Sequence, residues 1–265
     1  MSRFLLIFVL FSLVFSSVFA QDTFQLATPY LEYSSVFFEK KCTVAMTLAE
    51  PGTQIHYTTN GKIPTLKDPL YVAPISIKKT KTLKAKAFGS GFYPSEVAEA
   101  TFFKAGIKID SINHDSPNPK YAGAGSNTLI DEQGGEVRFS DNRWMGFNEK
   151  VLTCTLTMSK PRNIKRVLIH TLNSQNAWIF LPQEVEVHIR KYSSNRFTSV
   201  DTVIKELGIG IKAEALNTTA IWVDLPRTIK TKQIILKIYP RAEIPDWHPG
   251  AGTGAWLFLD EIKLY

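Results

Sequence analysis

The chain has 265 residues, of which 44% are hydrophobic and 21% are charged. This composition is typical of a globular protein and excludes a chain that is disordered throughout. Lys and Arg number 31 against 24 Asp and Glu, a formal net charge of +7 that is spread too widely to indicate nucleic acid as a partner. The chain is too short for a (β/α)8 barrel of about 250 residues in addition to two β-rich modules.

The first 20 residues have the pattern of an export signal. Arg3 precedes an apolar run from Phe4 to Phe11, and small residues surround the segment that ends at Ala20. This order is typical of a signal peptide that is removed. A membrane anchor is the alternative, but a span needs about 20 apolar residues, and serines interrupt this run. We therefore expect a secreted or periplasmic protein without a membrane span after cleavage at residue 20.

Residues 28–104 contain short segments of alternating apolar and polar residues, which predict β-strands. The predicted strands are Cys42–Leu48, Gln54–Thr59, Ile75–Ile77, Thr82–Phe88 and Val97–Phe103. Asn60-Gly61, directly after the second strand, is typical of a hairpin turn. Strands of this length separated by regular turns predict a small β-sandwich of the immunoglobulin type.

Five lysines alternate with apolar residues along this segment. They are Lys78, Lys79, Lys81, Lys84 and Lys86, and we expect them to point outward while Ile75, Ile77, Leu83, Ala85 and Ala87 point inward. Such a row of lysines could bind an anionic polysaccharide. A solvated face that protects a sheet edge is the commoner explanation, and we favour it.

Several motifs in this segment carry a family resemblance. They are Thr28-Pro29, Pro51-Gly52-Thr53-Gln54-Ile55-His56-Tyr57-Thr58-Thr59-Asn60-Gly61, Pro64-Thr65, Leu70-Tyr71, Pro74-Ile75 and Thr82-Leu83-Lys84-Ala85-Lys86-Ala87. The segment resembles the immunoglobulin-like module at the C-terminus of chitobiases and bacterial β-hexosaminidases. Since that module is an accessory one, the resemblance implies no catalysis.

Residues 108–265 form a second β-rich block. Its predicted strands are Ile107–Asn113, Val151–Met158, Ile164–His170, Glu184–Arg190, Ile221–Asp224, Gln233–Tyr239 and Trp256–Tyr265. No stretch of more than 12 residues combines a helical period with helix caps. The pattern predicts an antiparallel jelly roll, so that the whole chain is expected to be all-β.

The second block also resembles a known domain. The motifs are Leu129-Ile130-Asp131, Asp141 with Trp144-x-Gly146-Phe147, Trp178-Ile179-Phe180, Ile244-Pro245-Asp246-Trp247-His248-Pro249-Gly250 and Ala255-Trp256-Leu257-Phe258 with Asp260-Glu261-Ile262. They resemble the discoidin-like, galactose-binding-type domain appended to bacterial β-N-acetylhexosaminidases. That family tends to have Gly after the position of Asp131, where this sequence has Glu132.

The two cysteines, Cys42 and Cys154, both lie on the apolar side of an alternating pattern. They also fall in different predicted domains. We therefore expect two separate buried thiols rather than a disulfide.

Intrinsic catalysis is not expected. The related hexosaminidases use an adjacent Asp-Glu pair on a separate barrel domain. The dipeptides Asp131-Glu132 and Asp260-Glu261 occur here, but the second lies inside an apolar strand next to the C-terminus. Motifs of serine hydrolases, zinc proteases and phosphate-binding loops are missing from the sequence.

A structural Ca²⁺ is implied by the second resemblance. Discoidin-like domains hold such an ion with backbone carbonyls, an early-loop Asp and a late Glu, and Asp131 and Glu261 match these two places. The nearby loop Gln133-Gly134-Gly135-Glu136 could offer carbonyl oxygens, which suit a hard cation. The alternative is that Asp131 caps a turn and Glu261 pairs with a lysine.

Carbohydrate binding is the function that the loops favour. Exposed aromatic rings pack on the C–H faces of sugars, and polar side chains bind the hydroxyl groups. Trp247 is the first candidate, with Arg241, Asp246 and His248 on the same loop, followed by Trp178 and Trp144. Trp222 and Trp256 lie in apolar strands and are expected in the core, and His56, His114, His170 and His188 are interpreted as ordinary strand or turn residues.

Together these features predict a secreted, non-catalytic protein that binds galactose- or N-acetylhexosamine-type glycans through loops of its second domain. Its expected partners are a glycan and, in addition, a glycoside hydrolase or a cell-surface protein. Two alternatives remain open: a structural or protein-interaction scaffold, and a detached accessory region of a glycoside hydrolase.

Overall fold

The computed structural model describes residues 24–193, 196–208 and 216–265, and it describes no side chains for residues 191–200. The segment predicted as a signal peptide lies outside these residues. Within them the chain is all-β, as predicted, with fourteen strands and three 3₁₀ helices of three residues each. In the part that the structure describes, no helix is long and apolar enough to cross a membrane.

The N-terminal part forms two sheets. Their strands are β1 (Tyr30–Glu32), β2 (Phe37–Phe38), β3 (Cys42–Thr47), β4 (Thr53–Thr58), β5 (Ile75–Ile77), β6 (Lys81–Gly89) and β7 (Ala98–Lys104). One sheet has the order β1-β3-β5 and the other the order β2-β7-β6-β4. Alternate residues of β3 and β6 fill the core between them, including Val44, Leu83 and Ala85, so the predicted inward and outward sides of β6 are confirmed.

The turn at Asn60-Gly61 does not join two paired strands. Gly61 has a φ of +77°, as a tight turn requires. The segment that follows forms a single isolated bridge with β4, between His56 and Leu70, and β4 pairs with β6 instead. The hairpin expectation was therefore wrong, because the prolines at 64 and 69 keep the returning segment out of a regular ladder.

The C-terminal part forms a single seven-stranded sheet. Its strands are β8 (Ser111–His114), β9 (Met145–Phe147), β10 (Leu152–Asn173), β11 (Glu184–Ser193), β12 (Arg196–Glu206), β13 (Asn217–Tyr239) and β14 (Leu257–Leu264). The order is β12-β11-β13-β10-β14-β9, and β8 pairs with the first half of β10. Strands β9 and β12 were not predicted.

Strands β10 and β13 are each continuous where the sequence predicted two strands. Their pairing shifts register between Thr157 and Arg162 and again between Ile164 and Arg166. Pro161 lies at the first irregularity, where a missing N–H is tolerated. The two halves of this strand pair bury apolar side chains in one shared core, which includes Leu156, Val167 and Leu236.

Both cysteines are buried and free, as predicted. Burial raises the pKa of the Cys154 thiol to about 12, and burial also raises the pKa of the Cys42 thiol. Neither thiol is therefore a reactive thiolate at neutral pH.

The two parts of the chain pack directly against each other. Phe37 and Phe103 of the first part contact Leu168 of β10, with Trp222 and Tyr265 at the edge of the cluster. The Tyr265 hydroxyl donates a hydrogen bond to the carbonyl oxygen of Lys104 over 3.0 Å. These contacts place the 131–136 loop and the end of β14 at the junction.

Candidate functional site

Two half-exposed tryptophans lie together at one end of the seven-stranded C-terminal sheet. The side chains of Trp178 and Trp247 are 41% and 38% exposed. Both indoles contact the imidazole of His248 nearly at right angles, with centroid separations of 6.1 and 5.7 Å. The sequence prediction that these two residues stand at the surface is borne out by their positions, and we call them the tryptophan pair.

His248 joins the two loops that carry the tryptophan pair. Its ring is buried, with Nε2 lying 2.9 Å from the carbonyl oxygen of Gln175 and Nδ1 accepting the N–H of Gly250 over 3.0 Å. Since Nδ1 accepts, Nε2 carries the proton and donates. The ring therefore has no nitrogen left for a ligand, and His248 positions the site instead of contacting sugar as predicted.

Trp178 is held in an unusual backbone conformation. It ends the 3₁₀ helix Gln175–Ala177 with a φ of +62°, in the left-handed region. This conformation costs a non-glycine residue about 1–2 kcal/mol. The Trp256 N–H donates to the Trp178 carbonyl oxygen over 2.8 Å, and Gly250 leaves room for the indole, since a Cβ there would lie 3.1 Å from it. Such outliers cluster at ligand sites.

The other two polar residues predicted on this loop have different surroundings. Asp246 is exposed next to Trp247. Arg241 is half-buried, and its Nη2 lies 3.5 Å from the Leu207 carbonyl oxygen and 3.4 Å from that of Gly208. Burial lowers the pKa of the Arg241 guanidinium. The structure thus leaves Asp246 open beside the tryptophan pair and directs Arg241 to the backbone of 207–208.

Trp144 was predicted as a third sugar-binding aromatic residue, and the structure places it elsewhere. Its side chain is 1% exposed, and its Nε1–H donates to the carbonyl oxygen of Glu136 over 2.8 Å. It packs with Leu172, Ile179 and Phe258. Because neither face of the ring is open, Trp144 is a core residue.

Four charged side chains meet at the junction of the two domains, and we call them the junction cluster. They are Glu132, Asp260, Glu261 and Lys263, and the last three are almost fully buried. Lys263 Nζ lies 2.6 Å from Glu132 Oε1 and 3.6 Å from Glu261 Oε1. The Glu132 N–H donates to Glu261 Oε2 over 2.8 Å. Burial raises the pKa of Glu261 to about 8, although Lys263 acts in the opposite direction.

This arrangement does not fit the calcium ion that the resemblance implies. Glu261 uses one oxygen for a backbone N–H and faces the Lys263 ammonium with the other, and Asp131 Oδ1 accepts the Gln133 N–H. Among the described residues, no three acidic, His or Cys side chains gather as metal ligands. Glu132 Oε2 is buried without a partner, but calcium takes six to eight oxygens.

We expect the melting temperature of the purified protein to be the same in excess Ca²⁺ and in excess EDTA. A bound ion stabilises the folded state by mass action, so a real site would raise the melting temperature as Ca²⁺ is added. Thermal denaturation followed by circular dichroism measures this. A rise in melting temperature that saturates with Ca²⁺ and is reversed by EDTA would show that the protein binds the ion, although Lys263 lies beside Glu261.

Comparison with known families gives one match along the sequence. Residues 34–99 match the model of the chitobiase/beta-hexosaminidase C-terminal domain. This agrees with the resemblance found for the first domain, and a match to an accessory C-terminal domain is consistent with a non-catalytic protein. A search of curated proteins returned no match.

Solved structures similar to the chain include three carbohydrate-binding modules. Chitosan-binding module 1 from a chitosanase/glucanase of Paenibacillus sp. IK-5 shares 10% identity, with 60% of this chain and 96% of that chain covered and a TM-score of 0.37. A pectin-binding module shares 12% identity over 60% of this chain and 91% of its own, with a TM-score of 0.36. A GalNAc-bound module, GH31 CBM32-2, shares 13% identity, with 58% of this chain and 97% of that chain covered and a TM-score of 0.36.

Proposed function

We propose that this protein binds glycans through the tryptophan pair, at one end of its seven-stranded C-terminal sheet. The observation that carries the proposal is the presence of two half-exposed indoles, Trp178 and Trp247, fixed on either side of the buried His248. Rigid rings lose little conformational entropy on binding, so they suit the flat C–H face of a sugar. Asp246, exposed next to Trp247, supplies an acceptor for sugar hydroxyls.

The strained backbone of Trp178 supports the same function. A left-handed position at the end of a 3₁₀ turn favours Gly or Asn, and here it carries the largest side chain. The hydrogen bond from Trp256 and the space over Gly250 hold this conformation in the free protein. The indole is thereby preorganised for a ligand and need not be ordered on binding.

Galactose- and N-acetylhexosamine-type sugars are the ligands that we propose. Residues 34–99 match a domain of enzymes named for chitobiose and β-hexosaminides, which supports sugars of this class as ligands. We further propose that the protein acts outside the cytoplasm as a secreted or periplasmic protein, after removal of residues 1–20. A glycoside hydrolase or a cell-surface protein is the partner that would make such binding useful.

Replacement of either Trp178 or Trp247 by alanine is expected to weaken glycan binding about tenfold, because a lost ring contact of this kind is worth about 1 kcal/mol or more. Binding of galactose, N-acetylgalactosamine and N-acetylglucosamine would be measured by calorimetry, after a glycan array has selected longer ligands. Tyr30→Ala is the matched control, since Tyr30 is an exposed aromatic residue of the first domain.

Equal binding by the wild-type protein and both tryptophan variants would remove the proposed site. A complete lack of binding to the array would favour the scaffold function instead. One observation supports that alternative: Ile63, Leu66 and Val72, on the loop between β4 and β5, are each more than half exposed.

A further inference from the structure

A cleft of about 630 Å³ lies between the two domains, away from the tryptophan pair. Tyr33 and Thr101 line it from the first domain, and Asn217, Thr218 and Trp222 line it from β13. Ligand sites favour domain interfaces, and this volume is within the usual range for a small-molecule site.

A buried histidine lies on the surface of this cleft. His170 is 2% exposed, and its Nδ1 lies 2.7 and 2.8 Å from the two carboxylate oxygens of Asp260. Asp260 also accepts the Gly135 N–H over 2.7 Å. The imidazole stacks on Trp144 at 6.1 Å and meets the edge of Phe37 at 5.2 Å, so its orientation is fixed.

The second nitrogen of His170 lies at the surface of the cleft, although the residue as a whole is almost fully buried. Asp260 accepts from Nδ1, which makes Nε2 the hydrogen-bond acceptor of the neutral ring. Nε2 has no hydrogen-bond partner among the described residues. Among the described residues, the buried side-chain nitrogen and oxygen atoms without a hydrogen-bond partner are His56 Nε2, Glu132 Oε2 and Asn173 Oδ1. Since His170 Nε2 is not one of them, it retains access to the cleft that His170 lines.

The walls of the cleft combine apolar groups, such as Val36, Phe103 and Leu216, with polar groups. Thr101, Thr218 and Asn217 bring hydroxyl and amide groups, and Tyr33 and Trp222 bring aromatic surface. The carboxylate of Glu99 is paired with Lys84 over 2.9 Å. Hydroxyl and amide groups beside aromatic surface suit a neutral ligand that has both hydroxyl groups and apolar C–H edges.

We propose that this interdomain cleft is a second binding site, for a neutral sugar or a comparable polyhydroxylated ring, and that His170 Nε2 accepts a hydrogen bond from a ligand hydroxyl. Asp260 holds the imidazole in the tautomer that this bond needs. The proposal does not depend on the tryptophan pair, because the two sites share no residue.

The test uses the full chain with both Trp178 and Trp247 replaced by alanine, so that binding at the tryptophan pair is lost. Methyl galactoside and N-acetylglucosamine are the probes, and the imidazole ¹⁵N signals of His170 are followed by NMR as each sugar is added. We expect the Nε2 signal to move in a saturable way while the Nδ1 signal changes little.

A blocking variant gives a second test that leaves His170 itself unchanged. Thr218→Trp should fill the cleft and weaken the effect of the sugar at least tenfold, and Thr228→Trp, on an exposed site of the same strand outside the cleft, should leave it unchanged. If neither sugar moves the Nε2 signal, or if Thr218→Trp binds like Thr228→Trp, the cleft is not a sugar site. That result would not contradict glycan binding at the tryptophan pair, which is measured separately on the wild-type protein.

Discussion

Substitution of Lys263 by methionine is expected to lower the free energy of unfolding by about 1–3 kcal/mol, the usual cost of losing a hydrogen-bonded charged partner of a partly exposed carboxylate. The Lys263 ammonium is 4% exposed and lies 2.6 Å from Glu132 and 3.6 Å from Glu261. Methionine keeps the length and apolar character of the stem but removes the charge. Urea denaturation followed by tryptophan fluorescence measures the loss.

The double variant with Glu132→Gln is the control for this effect. Removing the carboxylate nearest to Lys263 takes away part of the uncompensated charge, so the double variant should be more stable than Lys263→Met alone. Equal stabilities of the two variants, or a loss below about 1 kcal/mol for Lys263→Met, would show that the ammonium does not hold the junction cluster together.

Trp144→Ala should cost about 3–5 kcal/mol of stability, as large-to-small changes of buried aromatic residues usually do. The indole is 1% exposed, stacks on His170 and donates to the Glu136 carbonyl oxygen. Gly135 lies so close to this ring that a Cβ there would overlap it. Thermal and urea denaturation measure the effect.

Trp178→Ala is the matched comparison, because it removes an indole that is 41% exposed. We expect its stability to fall by less than half as much, since less apolar surface is uncovered. A stability loss for Trp144→Ala no larger than that for Trp178→Ala would contradict the core assignment of Trp144.

The alternating patterns of the sequence were enough to predict most of the strands. Leu83, Ala85 and Ala87 are buried on β6 as expected, and both cysteines are buried and free. The two long strands were each divided in prediction, because Pro161 interrupts the alternating pattern of β10 and Pro226 interrupts that of β13. A bulge keeps the strand continuous although the local sequence indicates a break.

The candidate site was predicted only in part. Trp178 and Trp247 are at the surface, whereas Trp144, within the same kind of loop motif, is buried. Nothing in the local sequence distinguishes these tryptophans, because exposure depends on which distant segments pack over a ring. His170 was interpreted as an ordinary strand residue, since its partner Asp260 is 90 positions away.

The role of Glu132 in the junction cluster could likewise not be predicted from the local sequence. The resemblance drew attention to it as a departure from Gly, and the structure gives it a φ of +66°, a conformation that glycine adopts freely. Its carboxylate binds Lys263 and its N–H binds Glu261, 129 positions away. Only these long-range contacts explain how a glutamate is tolerated there.

The order of apolar and polar residues by itself determined the all-β class, the inward and outward sides of β6 and the burial of both thiols. Each of these depends on neighbours within a few residues along one strand or on a local motif. Tertiary structure decided which tryptophans stay in water, which distant carboxylate pairs with Lys263 and where the cleft lies. Those features arise where segments far apart in the chain pack together, and packing of this kind leaves no periodic signal in the sequence.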